Sequence, residues 1–137
     1  MSLAALSLGL VLASSGFRVD TLVPDEGYVG GCFIGLQRAD SWFDDGYIFV
    51  DDTLSQGDIR IDGGYVRLSL FAGDNGDSDI HRFFHSDDRQ TVVEENLKVT
   101  NSSTDTDGWV TEVVTGRLTV THKGRTMTLR VKGSRSC

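Results

Sequence analysis

Apolar and polar side chains alternate residue by residue over several stretches between Ile59 and Val131, and no stretch keeps a helical period for three or four turns. In an extended chain successive side chains leave on opposite faces, so this alternation marks strands with one buried and one wetted face. In Asp58-Ile59-Arg60-Ile61-Asp62 the two isoleucines face one way and Asp58, Arg60 and Asp62 the other. Asp62-Gly63-Gly64 supplies the positive φ angles of a tight hairpin, and beyond it Val66, Leu68 and Leu70 resume the apolar face. The pattern returns in Leu118 and Val120, turns at His122-Lys123-Gly124-Arg125, and continues in Met127, Leu129 and Val131. Between these hairpins Val93, Leu97 and Val99 share parity with the polar Thr91 and Glu95, a less clean strand.

Upstream, Val29 to Leu36 and Tyr47 to Val50 read as two more strands, with Cys32, Ile34 and Leu36 facing in together. The Gly- and Asp-rich segment from Ala72 to Asp79 reads as a loop, Asn101 to Asp107 as a surface turn, and Gly116 as the site of a bulge. Short strands separated by turn signals predict an all-β fold, a single small antiparallel β-barrel or β-sandwich of about 7–8 strands. Residues 78–86 fit either a strand or one short helical turn. A chain of 137 residues with 39% hydrophobic and 24% charged side chains is one domain's worth, so residues 16–137 form a single β domain.

The first fifteen residues read in two ways. Leu3 to Ala13 has the length of a signal-peptide apolar core followed by small residues, although no Lys or Arg precedes it. Alternatively Leu6, Leu8, Leu10 and Leu12, on every second position, make a first strand. Two cysteines, Cys32 and Cys137, form an even set, and a bridge between them would tie the last strand to an early one. Both features tilt the expectation toward export to a periplasmic or extracellular space.

The formal net charge of −7 sets the partner class. Nucleic acid binding rests on Lys and Arg contacts to phosphate, which such a chain disfavours, and no run is long enough to span a bilayer. A basic protein is the partner that the charge favours. For a binding surface, Trp42-Phe43-Asp44-Asp45-Gly46-Tyr47 combines large aromatic area with carboxylates able to meet Arg or Lys. Metal-type ligands crowd only in residues 77–88, where His81 and His85 share a face and Asp79, Asp87 or Asp88 could complete a divalent metal site. Asp74, Asp77 and Asp79 suggest a calcium loop, but the twelfth position counted from Asp74 is His85, not Glu. No nucleophile elbow, phosphate loop or cofactor fingerprint is present. The expectation is a non-enzymatic, inhibitor- or immunity-like domain without a cofactor. The alternatives are a carrier of a small apolar ligand inside a barrel and a metal-dependent enzyme built on His81 and His85.

Overall fold

Both anticipated hairpins form in the computed structural model of the protein, which describes residues 16–23 and 31–137. Each closes through two residues with positive φ, Asp62 and Gly63 at 49° and 80°, Lys123 and Gly124 at 51° and 81°. That backbone matches the right-handed twist of the flanking strands, so the hairpin forms without splaying them. In chain order the strands are β1 (Val19–Asp20), β2 (Phe33–Arg38), β3 (Phe49–Asp51), β4 (Gln56–Ile61), β5 (Gly64–Asn75), β6 (Asp79–His85), β7 (Thr91–Thr104), β8 (Val110–His122) and β9 (Arg125–Ser136).

Strands β2 to β9 each pair antiparallel with the next, and β9 returns to β2, so the sheet closes into an eight-stranded up-and-down barrel with β1 added beside β4. The barrel, not the sandwich, is the architecture. Closure removes the unpaired edges that so Thr- and Val-rich a sheet would otherwise expose. The seam pairs Phe33 with Ser136 through to Arg38 with Val131, and the Cys32–Cys137 disulfide lies just beyond its first rung. At this seam the backbones approach closely, since a Cβ on Gly133 would lie 1.9 Å from the Gly35 carbonyl oxygen. Only glycine fits there.

Several local expectations are corrected. Residues 78–86 hold strand β6 and no helical turn, and among the described residues the one helical element is a 3-10 turn at Phe43–Asp45. Strand β5 continues through Asn75, so the loop expected from Ala72 to Asp79 shrinks to residues 76–78. Likewise β7 runs to Thr104, and the turn expected at Asn101 to Asp107 falls at residues 105–109. In both cases hydrogen bonding to the neighbouring strand overrides weak local propensity. The bulge sits between Val99 and Asn101, whereas Gly116 stays in register opposite Leu97 and Val131. The early strands begin later than expected, at Phe33 and Phe49. Residues 1–15, expected as a leader or a first strand, lie outside the described residues, as do Val29 and Gly30. Among the described residues no helix is long and apolar enough to cross a membrane.

The barrel axis is filled by side chains. Ile34, Leu36, Phe49, Ile59, Leu68, Ile80, Phe84, Val93, Leu118 and Val120 are all fully buried, with Phe49 and Phe84 edge-on at 5.4 Å between ring centroids. Burying each such side chain is worth roughly 1.5–3 kcal/mol. Segment 16–23 lies across one end, hydrogen-bonded from Leu22 N–H to the Tyr47 carbonyl, with Phe17, Val19 and Leu22 buried and Phe17 against His122. At the opposite end Arg135 donates to Glu112, to the Asn75 side chain and to the carbonyls of Gly76 and Asp77. One guanidinium thus draws β8, β9 and the β5–β6 loop together over that mouth.

Candidate functional site

Among the described residues, Arg82, Asp51 and Glu95 form a charged group deep in the barrel interior. Arg82 occupies the position between Ile80 and Phe84 on the inward face of β6, and Glu95 lies directly opposite it on β7. The Arg82 guanidinium donates through Nε to Glu95 at 3.2 Å and through Nη2 to Asp51 on β3, while its carbon face rests 5.1 Å from the Phe84 ring centroid. All three side chains are excluded from water. One cation between two carboxylates leaves an excess negative charge in a low-dielectric interior, and protonation relieves it. Burial, together with the adjacent Asp51 carboxylate, pushes Glu95 well above its usual 4.5, and Arg82 opposes that rise without cancelling it. Glu95 is therefore the proton carrier of the group, and a neutral Glu95 can donate toward Asp51 while accepting from Arg82.

The sign of the resulting pH dependence follows. A carboxyl whose folded pKa is raised holds its proton in the native state where the unfolded chain has lost it. Its contribution is full below about pH 4.5 and is lost as pH rises toward the folded value. Glu95→Gln keeps the shape and the hydrogen-bonding capacity of the neutral acid. We expect the variant to gain on the parent protein as pH rises above about 4.5 in urea unfolding series. A stability difference that did not change with pH would show that Glu95 is ionised in the folded state.

The charged interior connects to the surface through Asp51. Its Oδ1, which accepts from Arg82, also accepts the Thr53 N–H at 2.8 Å, and Thr53 has the positive φ of 62°. The neighbouring Asp52 then accepts from the N–H groups of Leu54, Ser55 and Gln56 through one oxygen. Burial alone would raise the Asp52 pKa, but these backbone donors outweigh it and hold the carboxyl below its ordinary value. Residues 52–55 are thereby fixed, and they present Leu54 with 76% of its surface exposed.

Two further loops leave the same end. Residues 76–78 are held by Arg135. In residues 105–109 the Asp105 carboxylate accepts from the N–H groups of Asp107 and Trp109, and Trp109 is 43% exposed. This last loop tips a hairpin in which β7 runs about 20 Å past its last pairing with β6. Around this end stand Asp52, Asp74, Asp77, Asp79, Asp105 and Asp107. The cations there are already engaged, Lys98 by Asp79 and Arg135 by Glu112. The end is acidic, with two apolar tips on loops fixed by their own side chains.

The residues expected from sequence are placed as follows. Trp42 is 78% exposed, and Asp44 and Asp45 are exposed beside it, with Asp45 accepting the Trp42 N–H at 2.9 Å. Tyr47 turns away, its ring lying over the bare backbone of Gly35 and edge-on to Phe33. The Phe43 side chain lies outside the described part. This loop belongs to the opposite end of the barrel and adjoins Lys132, which donates to the Ser41 carbonyl.

His81 and His85 share the outer face of β6, but four residues along a strand separate them by about 13 Å, too far for one metal ion. His81 pairs with Glu94 at 2.6 Å and stacks near Phe83, while His85 stacks on Phe71 and contacts the Ser86 carbonyl. Asp79 pairs with Lys98, and Asp88 accepts from Ser86 and the Gln90 N–H, whereas no bond to Asp87 brings it into this group. Among the described residues no group of three His, Cys, Asp or Glu is placed to hold a metal. The carbonyls of Gly76 and Asp77, which a calcium ion between Asp74 and Asp79 would want, are taken by Arg135.

No protein-family model matches the chain, and neither a curated protein nor a solved structure shows significant similarity to it.

Proposed function

We propose that this barrel is a non-enzymatic binding domain, exported and inhibitor- or immunity-like. It engages a basic protein partner through the end carrying the β3–β4, β5–β6 and β7–β8 loops. The observation that carries this reading is the rigid display of Leu54 and Trp109 among aspartates. Loops already held in one conformation lose little entropy on binding, so exposed apolar anchors on them convert more of their burial into affinity. Carboxylates around such anchors speed the encounter with a cationic surface and reject acidic ones. A barrel axis occupied by Phe49, Phe84 and Arg82 favours recognition on the outside over carriage of a ligand within. The disulfide agrees with an oxidising compartment.

The acidic end is preferred over Trp42 and its aspartates because the latter adjoin Lys132 and Arg38, which offset their charge. Affinity capture from the native compartment at low salt tests the reading. A basic protein should be retained, be released steeply with salt, and lose at least tenfold in affinity to a Leu54→Ala/Trp109→Ala variant while tolerating Trp42→Ala. Retention that survives the double substitution but not Trp42→Ala would move the contact to the other end. Capture of no basic protein at low salt would end the proposal.

A further inference from the structure

A second face of the barrel carries the opposite charge. On the outer surface of β8 and β9, Arg117 and Arg130 lie directly opposite each other in the ladder. Like charges in that position repel and destabilise a sheet unless something else compensates. Neither guanidinium has an ion pair among the described residues, although the chain carries 20 acidic side chains. Two rungs along, Lys98, Thr115 and Lys132 occupy the same outer face on β7, β8 and β9. These residues, with Asn96, border a groove of about 520 Å³ whose described lining contains no carboxylate. Of the four cations, Lys98 is paired with Asp79 at 2.6 Å and Lys132 donates to the Ser41 carbonyl at 2.5 Å, which leaves Arg117 and Arg130 to carry the groove's unpaired charge.

We infer that this groove binds a small, multiply charged oxyanion of the phosphate or sulfate type, held between Arg117 and Arg130. Paired guanidinia present several N–H donors in a fork that matches tetrahedral oxyanions, and the Thr115 hydroxyl and Asn96 amide add neutral donors at the same face. The anion is small because the cationic strip is short. Glu94 and Asp79 on its β6–β7 side, and a chain of net charge −7, would meet any extended polyanion. The inference is independent of the acidic end and of any protein partner there.

The test uses the whole protein with inorganic phosphate, sulfate and pyrophosphate, each against sodium chloride at matched ionic strength. Amide chemical shifts should change saturably and only around Asn96, Thr115, Arg117, Arg130 and Lys132, most strongly with pyrophosphate. The contrast between phosphate and sulfate separates the two sources of the same chemistry. Arg117→Gln/Arg130→Gln should weaken the response at least tenfold. Arg117→Thr alone should melt at a higher temperature than the parent in chloride and lose the further rise that pyrophosphate gives the parent. Shifts that never saturate, that match chloride, or that spread to Arg89, Lys123 and Arg125 would overturn the inference, and the parent protein alone decides this if a variant fails to fold. Tighter binding of oligonucleotides in proportion to their length would overturn it too, by pointing to a polymer.

Discussion

Arg82→Met should lower the unfolding free energy by about 3–5 kcal/mol, because it strands the Asp51 carboxylate and the Glu95 carboxyl in the barrel without their cation. Methionine fills nearly the same volume, so the loss reflects charge and not a cavity. Apart from the proton that Glu95 can direct toward Asp51, the second oxygens of both side chains have no hydrogen-bond partner, so nothing in the barrel replaces the lost cation. The measurement is urea unfolding at neutral pH, compared with a triple variant Asp51→Val/Arg82→Met/Glu95→Leu. Replacing a whole buried ionic group by apolar residues is often neutral or better, so the triple variant should recover most of the stability. It should not recover the β3–β4 loop, since Asp51 also fixes Thr53. Faster amide exchange at Thr53 in a stable triple variant would separate the folding role of the group from its role in shaping the surface. A loss under 1 kcal/mol for Arg82→Met would mean that the interior is wet or open at that position.

The second large effect belongs to the disulfide. Cys32 and Cys137 are 105 residues apart, and on the chain-entropy account closing a loop of that size stabilises by about 4–5 kcal/mol. Against a total of about 5–15 kcal/mol for an ordinary domain, Cys32→Ser/Cys137→Ser should leave the barrel marginal. The loss should also be uneven. The bridge sits at the end of the β2–β9 seam, the pairing that joins the most distant stretches of the barrel, so exchange should rise first at Phe33, Ile34 and Arg135 and later in the β7–β8 hairpin. Uniform loosening of all strands would argue that the seam holds without the bridge.

Most of the barrel was legible because strand parity and turn chemistry agree. Ile59, Leu68, Leu118 and Val120 are all buried as their alternation required, and the turns fall at Asp62-Gly63 and at Lys123-Gly124, where the glycines mark them. Parity also held the signal for the charged interior. Glu95 falls in register with Val93 and Leu97, which read only as a less clean strand, while Arg82, in register with Ile80 and Phe84, is its inward-facing partner across β6 and β7. Two opposite charges at inward parity on adjacent strands are the feature to look for. Closure was not legible, because pairing of β9 with β2 is a long-range event that no local alternation records. Nor was the acidic end, whose loops come from three distant stretches and meet only through the up-and-down order of the strands. The histidines looked like a pair because a strand and a helical turn both put them on one face, and only the rise per residue tells the two apart.

Where this barrel meets a cationic partner is tested most directly by titrating the isotopically labelled protein with a short arginine-rich peptide at low salt and following every backbone amide. The acidic end should respond first and saturably, at Leu54, Asp77, Asp107 and Trp109, with the response fading as salt is raised. Shifts confined to residues 42–47, or scattered evenly over all carboxylates, would contradict the assignment of that end as the contact surface.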